Sequence, residues 1–354
     1  MEVRPEHPTT NWLLRGKDGR LTAYAPTAGG VLRWTEVRPG GPHWHGPELL
    51  PAPDMVPYLS ITQSREGYVY LTGLRRRTGP GGRLDESVVY AIQYQSGRPL
   101  RDWHPLGVSP VAPDEGARPL PVGPPVAAID SAGGLRVFHR NAAGGVSLRS
   151  QARDGGWNAR WAEFTGKGIT GTIHAAADDA GLISVLGHNH GVLVRWAQEK
   201  PGGGFPRTGK LDFAAANGSL SALVTGEGRL THFWRDADSG AVLAWRVGGT
   251  PQRLGGEHGT GPVALLRTPV DGVDCTLMAQ RDASGRPSLA AYPTEDEPAG
   301  AVWSATGDVC AGVPALALDG RGRIVLAAVG TDGTLRIARQ KDEDGLALGA
   351  WTRV

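Results

Sequence analysis

Short runs of apolar and alternating residues follow one another along this chain, and the runs recur as a unit. In the clearest copy, Pro125-Val126-Ala127-Ala128-Ile129-Asp130 leads to Gly134-Leu135-Arg136-Val137-Phe138-His139. A turn spans Asn141 to Gly145, then come Val146 to Gln151 and the closing Trp157 and Trp161. Pro314 to Asp319, Gly322 to Leu326, Asp332 to Arg336 and Trp351 repeat that order near the other end. Units begin near residues 11, 57, 124, 171, 218, 261 and 312, so successive starts lie 43 to 51 residues apart except the step from 57 to 124, which is 67. Each unit holds four short runs separated by Gly, Pro and Asp, which is the pattern of strands and turns. No segment sustains a 3.6-residue apolar period, and the 53 Gly and 27 Pro would interrupt helices of ordinary length.

A repeat of this length belongs to solenoids and propellers. Four strands per unit and seven units closed in a ring predict one all-β domain over residues 1–354, a seven-bladed β-propeller with four antiparallel strands per blade. A single blade cannot bury both of its faces, so the core is expected between neighbouring blades. The first unit has its own first strand, around Trp12 to Arg15, so the ring is expected to close by blade-on-blade packing without an exchanged strand.

Composition narrows the function classes. The formal charge is +2 with both signs spread along the chain, and no basic stripe suggests nucleic acid. Arg75-Arg76-Arg77 is the one basic run, expected in a solvated loop. No stretch of 18 apolar residues marks a membrane span, and residues 1–10 carry no apolar signal region, which predicts a cytoplasmic chain. Five Lys among 37 basic residues, with abundant Ala, Gly and Pro, suggest a GC-rich bacterial gene. Cys275 and Cys310 are expected buried and reduced, and neither has zinc-site spacing. The sequence calls for no metal and no cofactor, and it leaves the oligomeric state open.

The unit resembles the repeat of the bacterial seven-bladed propeller lectins of the PLL type. The elements that match are Gly134-Leu135-Arg136-Val137-Phe138, Gly145-Val146-Ser147-Leu148 and the closing Trp157 to Trp161. The resemblance implies a propeller that binds fucose and related sugars through pockets built partly by the closing Trp segment. Here a closing Trp pair stands in unit three alone. Units two, six and seven keep one Trp each (Trp103, Trp303, Trp351), unit four has Gly204-Phe205-Pro206, and unit five has Thr250-Pro251-Gln252 with no aromatic. Scaffold positions persist while pocket positions drift, which favours one specialised site over seven alike.

Strand direction says which loops share a face. The turns between second and third strands emerge with the links between blades on one face, here the entry face, and the remaining turns emerge on the opposite, exit face. Two long segments, Arg75 to Glu86 and Gly107 to Gly123, belong to the entry face, where they are either a roof over the channel mouth or a stiff spacer. His139-Arg140-Asn141 and His188-Asn189-His190 lie in entry-face turns, and imidazoles there are candidates for acid–base work. His174 interrupts the small apolar residues of an inner strand, as do Arg267, Arg15, Tyr58 and Ser60, which makes all five candidates to face the channel. Trp157, Trp161 and Trp44 are candidates for stacking on a sugar, with Arg140, Asn189, Tyr58 and Arg267 as further ligand contacts. The third-strand aromatics Trp34, Tyr94, Trp196, Trp245 and Tyr292 are assigned to packing between blades.

Two function classes result. The first is a lectin-like module with one pocket at the entry face near blades 2–4, taking a sugar or another small molecule; its binding would weaken in Trp157→Ala or Trp161→Ala. The second is an enzyme of bacterial secondary metabolism, a cyclase or hydrolase, using His139, His188, His190 or His174 at the channel mouth, although no known catalytic motif is present. A protein-interaction scaffold is the third possibility that fold alone leaves standing.

Overall fold

The computed structural model describes residues 9, 11–82, 84–152, 154–257 and 259–354. The expected lack of an apolar N-terminal signal falls on residues 1–10, most of which lie outside the described residues. The chain is all-β: seven four-stranded antiparallel sheets follow one another in sequence, each a meander of consecutive strands. Inner strands begin at Leu13, Ser60, Val126, Ile173, Ser221, Thr260 and Ala315, within a few residues of the unit starts read from the pattern.

The turns explain the punctuation. In blade 3 the Asp130 carboxylate accepts the N–H groups of Ala132 and Gly134, and Gly133 takes φ of 80° between them. Blade 7 repeats the device, with Asp319 accepting from Arg321 and Arg323 around Gly322 at φ of 79°. An Asp side chain that mimics a backbone turn, next to a glycine free of the Cβ penalty, reverses the chain between the first two strands.

Side chains alternate toward the two neighbouring blades, so the core is a ring of inter-blade seams. Trp34, Trp196 and Tyr292 are buried there as expected, and so is Trp245. Tyr94 departs from the expectation: it lies one residue beyond the third strand of blade 2 (Leu84–Gln93), is 44% exposed and meets Tyr68 edge-on. Cys275 and Cys310 are both buried and unbonded to each other. No helix among the described residues is long and apolar enough to cross a membrane.

The ring closes without strand exchange. The sheets of blade 1 and blade 7 each contain four consecutive strands of their own. Their seam is joined by Arg339, whose Nη2 donates to the buried Glu36 carboxylate at 2.8 Å, and by Trp12, whose indole N–H donates to the Val313 carbonyl at 3.0 Å.

The two long entry-face segments take different forms. Arg75 to Glu86 is not a loop: the second and third strands of blade 2 (Val69–Thr78 and Leu84–Gln93) stay paired out to Thr78 and Leu84. Its arginines sit in that hairpin, where Arg76 pairs with Glu86 and Arg77 with Asp54. The link through Gly107 to Gly123 is irregular and seated on blade 3. Leu120 and Gly123 donate to the carbonyls of Ala142 and Arg140, and Arg140 donates back to Pro121. These bonds hold it over blade 3.

Candidate functional site

The inner strands enclose a central channel. Its wide part, a cavity of about 660 Å³, is lined by Ser64 to Glu66, Asp130 to Gly133, Asp178 and Gly181, which belong to the turns after the inner strands. It therefore opens on the exit face. At the entry end Thr9 and Asn11 sit with Tyr58, Ser60 and Thr172 around a much smaller space of about 90 Å³. The walls of the wide part are largely edges of small residues such as Ala127, Ala128, Ala175, Ala176 and Ala222.

The chemistry collects beside the channel, between blades 4 and 5, in a cleft of about 430 Å³. Its lining residues Ser184, Arg195 and His232, and the side chains that back them, come from adjoining strands. Within blade 4 the inner strand (Ile173–Ala177) carries His174, the second (Ile183–Asn189) Ser184, the third (Val192–Ala197) Arg195, and the outer (Arg207–Leu211) Thr208. From blade 5 the second strand (Arg229–Arg235) contributes His232 and the third (Val242–Trp245) Trp245. Register puts these on facing surfaces: His174 pairs with Leu186 and Leu186 with Arg195, while His232 pairs with Trp245.

Arg195 is half-buried and held in place. Its Nε donates to Ser184 Oγ and its Nη1 to Thr208 Oγ1, both at 2.9 Å, while Nη2 makes no hydrogen bond among the described residues. Among the described residues no carboxylate forms an ion pair with it. His232 is buried, lies 3.4 Å from Ser184 Oγ through Nε2, and stacks on Trp245 with ring centroids 5.7 Å apart. The Nδ1 atoms of His232 and His174 and the Nε1 of Trp234 are buried without partners at this one seam. Desolvation lowers the His174 pKa to about 4 and that of His232 well below its ordinary value, with His174 and Arg195 adding to the second shift. Both imidazoles are neutral at pH 7. The rim carries Asp178, Gln198, Arg229, Arg246 and the exposed Val247; Arg229 pairs with Glu295 and Arg246 with the buried Glu297.

In blades 1, 3 and 7 the corresponding positions are apolar or satisfied. Pairing to the fourth residue of the second strand puts Val126 and Ala315 where blade 4 has His174. The next step across puts Leu148 and Ile337 where it has Arg195. In blade 1 that position is Arg33, whose guanidinium is bonded by Glu48.

The cleft coincides with a gap in the outer packing. Trp103, Trp303 and Trp351 immediately precede their outer strands and pack into the seam with the preceding blade. Trp303 and Trp351 also donate across it, to the Leu254 carbonyl and to Thr306 Oγ1. Blade 4 uses Phe205, stacked on Phe164 of blade 3 at 5.0 Å. Blade 5 has Thr250-Pro251 there, and its seam with blade 4 is the one that holds the cleft.

The residues singled out from the sequence fall in several places. His139 is fully buried, accepts the Ser109 N–H at Nε2, contacts the Arg140 carbonyl through Nδ1 at 3.0 Å and meets Trp161 edge-on; burial lowers its pKa to about 4. Arg140 donates to the carbonyls of Thr170 and Pro121, and Asn189 to that of Lys167. His188 is half-buried with its pKa lowered by burial, and His190 is exposed at a turn with φ of 44°. These five edge the entry face, away from the wide mouth. Trp157, Trp161 and Trp44 are half-buried in blade seams, with Arg149 over the Trp161 ring at 5.8 Å. Tyr58 is buried at the narrow end of the channel. Arg267 lies outside the channel, paired with Asp274 and with its pKa raised by that carboxylate. His174 lines the central channel rather than the cleft and lies behind His232, near enough to lower that ring's pKa; the cleft residues His232, Arg195 and Ser184 were missed. Their signal was a polar residue inside an apolar strand run, as in Val194-Arg195-Trp196 and Thr231-His232-Phe233. Among the described residues no three His, Cys or acidic side chains gather closely enough to hold a metal ion.

No family model matches the chain, and no curated protein matches it. Solved structures of similar fold include a candidate 6-phosphogluconolactonase from Bacteroides fragilis, at a TM-score of 0.57 and 15% identity, covering 95% of this chain and 94% of that one. They also include the SapL1 lectin in complex with alpha methyl fucoside, at 0.50 and 13%, covering 85% and 96%. A mutant of AofleA from Arthrobotrys oligospora aligns at 0.52 and 9%, covering 85% and 89%. At these identities the likeness is one of fold.

Proposed function

We propose that the chain is a lectin-like, carbohydrate-binding propeller with a single ligand site, the cleft between blades 4 and 5. The observation that carries the reading is the polar set of that seam: Arg195 lines the cleft with its Nη2 unbonded among the described residues, and the Nδ1 atoms of His232 and, behind it, His174 are buried without partners. Buried polar groups are nearly always hydrogen-bonded, and those that are not call for an explanation. A polyhydroxylated ligand in the cleft would give Arg195 Nη2 its missing partner. Polar side chains (Ser184, Arg195, Gln198, His232) line the cleft beside Leu182, Ile183, Ala197 and Leu230, and its volume lies within the roughly 300–1,000 Å³ common for small-molecule sites. That one structure of similar fold is a lectin holding alpha methyl fucoside supports the sugar class.

A glycan array followed by titration calorimetry tests this. Binding to one class of glycan at one site per chain is expected, weakened at least tenfold in Arg195→Ala and left unchanged in Trp161→Ala. An array without hits, or hits lost in Trp161→Ala but kept in Arg195→Ala, would overturn the assignment.

A further inference from the structure

Blade 1 shows what this scaffold does with an arginine at the third-strand position. Arg33 and Glu48 are register partners on adjoining strands, and the Glu48 carboxylate binds the Arg33 guanidinium. Blade 4 keeps the arginine and loses the acid. The register partner of Arg195 is Gly209, and a Cβ built there would meet nothing within 4 Å. The guanidinium is thus fixed by two hydroxyls at Nε and Nη1, half-buried, and its strand neighbour leaves open volume where its counterpart has a carboxylate. A planar guanidinium with a free edge suits a carboxylate better than any neutral group, because the charge-assisted bonds are short and directional. Of the residues lining the cleft three are arginines (Arg195, Arg229 and Arg246) and one, Asp178, is an acid. The Asp178 carboxylate already accepts the Leu182 N–H at 2.8 Å, and it faces the cleft as an acceptor for hydroxyl groups.

We infer that the ligand of this cleft is an acidic sugar, a uronate-type pyranose whose carboxylate takes the place at Arg195 that Glu48 takes at Arg33. This rests on the carbohydrate reading and narrows it. The carboxylate binds the free Nη2 edge of Arg195. The ring lies along the His232 side of the cleft. Its hydroxyls have the Asp178 carboxylate on the rim as an acceptor.

The experiment compares methyl glucuronide with methyl glucoside, and methyl galacturonide with methyl galactoside, by titration calorimetry on the full chain. It is repeated with Gly209→Glu, which restores the acid of blade 1 within the chain, and with Arg195→Met, which keeps the side-chain stem and removes the charge. In at least one pair the acid should bind tenfold or more tighter than the neutral sugar. Both variants should erase that difference while their thermal melts stay close to that of the parent. Equal binding of acid and neutral sugar overturns the inference and leaves the carbohydrate reading standing, as does a preference that survives in both variants. Failure of all four sugars together with a blank array removes both. If Arg195→Met unfolds the chain, Gly209→Glu decides alone, since its side chain enters open space.

Discussion

Trp157 donates its indole N–H to the Tyr90 hydroxyl at 3.0 Å, with the two ring centroids 5.0 Å apart across the seam of blades 2 and 3. This makes Trp157 a strut between blades. Trp157→Ala should therefore cost stability, about 2–4 kcal/mol for removing a largely packed indole, and Trp157→Phe only about 1 kcal/mol for the lost hydrogen bond. Urea unfolding monitored by circular dichroism gives both values. A Trp157→Ala chain as stable as the parent would show that the indole is free to serve a ligand instead.

The ring should depend on the pair that closes it. Glu36 is fully buried and accepts from Arg339 Nη2, the Leu21 N–H and the Gly40 N–H. Replacing it by Gln removes the nearer of the two carboxylates beside Arg339, the other being Asp319 at 3.6 Å, in a seam that no exchanged strand reinforces. Breaking one partner of such a buried pair costs about 3–5 kcal/mol. Asp274→Asn, which disrupts an exposed pair with Arg267, should cost less than about 1 kcal/mol. Comparable urea midpoints for the two variants would contradict the assignment of Glu36 to ring closure.

The fold was legible because its determinants are local and repeated. Asp130 and Asp319 announce their turns in the sequence, and Val126 to Ile129 and Ala315 to Leu318 announce their strands. The site was legible only in part. Thr250-Pro251 stood out as the unit without a closing aromatic, but its consequence, an open seam, depends on what Phe205 and Trp303 do at other seams. Arg195 and His232 lie 37 residues apart in the chain and meet only through the register of two different sheets, which no single-unit pattern contains. Arg75 to Glu86 read as a loop because its charges mask a strand; the pairing of Arg76 with Glu86 turns those same charges into cross-strand partners.

Acid should destabilise the chain through its buried imidazoles. Burial holds His139 at a pKa of about 4 in the folded state, against the ordinary value of 6.5 when unfolded. Between those two pH values the unfolded chain binds the proton and the folded chain does not. The stability is complete above pH 6.5 and falls as the pH drops toward 4, by up to about 3 kcal/mol for a shift of this size. His174 acts in the same direction. Urea midpoints at pH 7, 5.5 and 4.5 should fall in that order, and His139→Gln should flatten part of the slope. A midpoint that does not move between pH 7 and 4.5 would contradict the buried, neutral state of both rings.

The open seam of blades 4 and 5 can be closed by the device the other blades use. Pro251 immediately precedes the outer strand of blade 5 (Gln252–Arg253), as Trp303 and Trp351 precede theirs. In Pro251→Trp the new indole should wedge toward blade 4 over Val247 and the rim of the cleft. Burying most of an aromatic side chain is worth about 1.5–3 kcal/mol, so the melting temperature should hold or rise while glycan binding at the cleft disappears. Stability and binding would then move in opposite directions, as expected where a site is a packing vacancy kept open for a ligand. A variant that gains stability and still binds with the parent's affinity would place the ligand away from this seam.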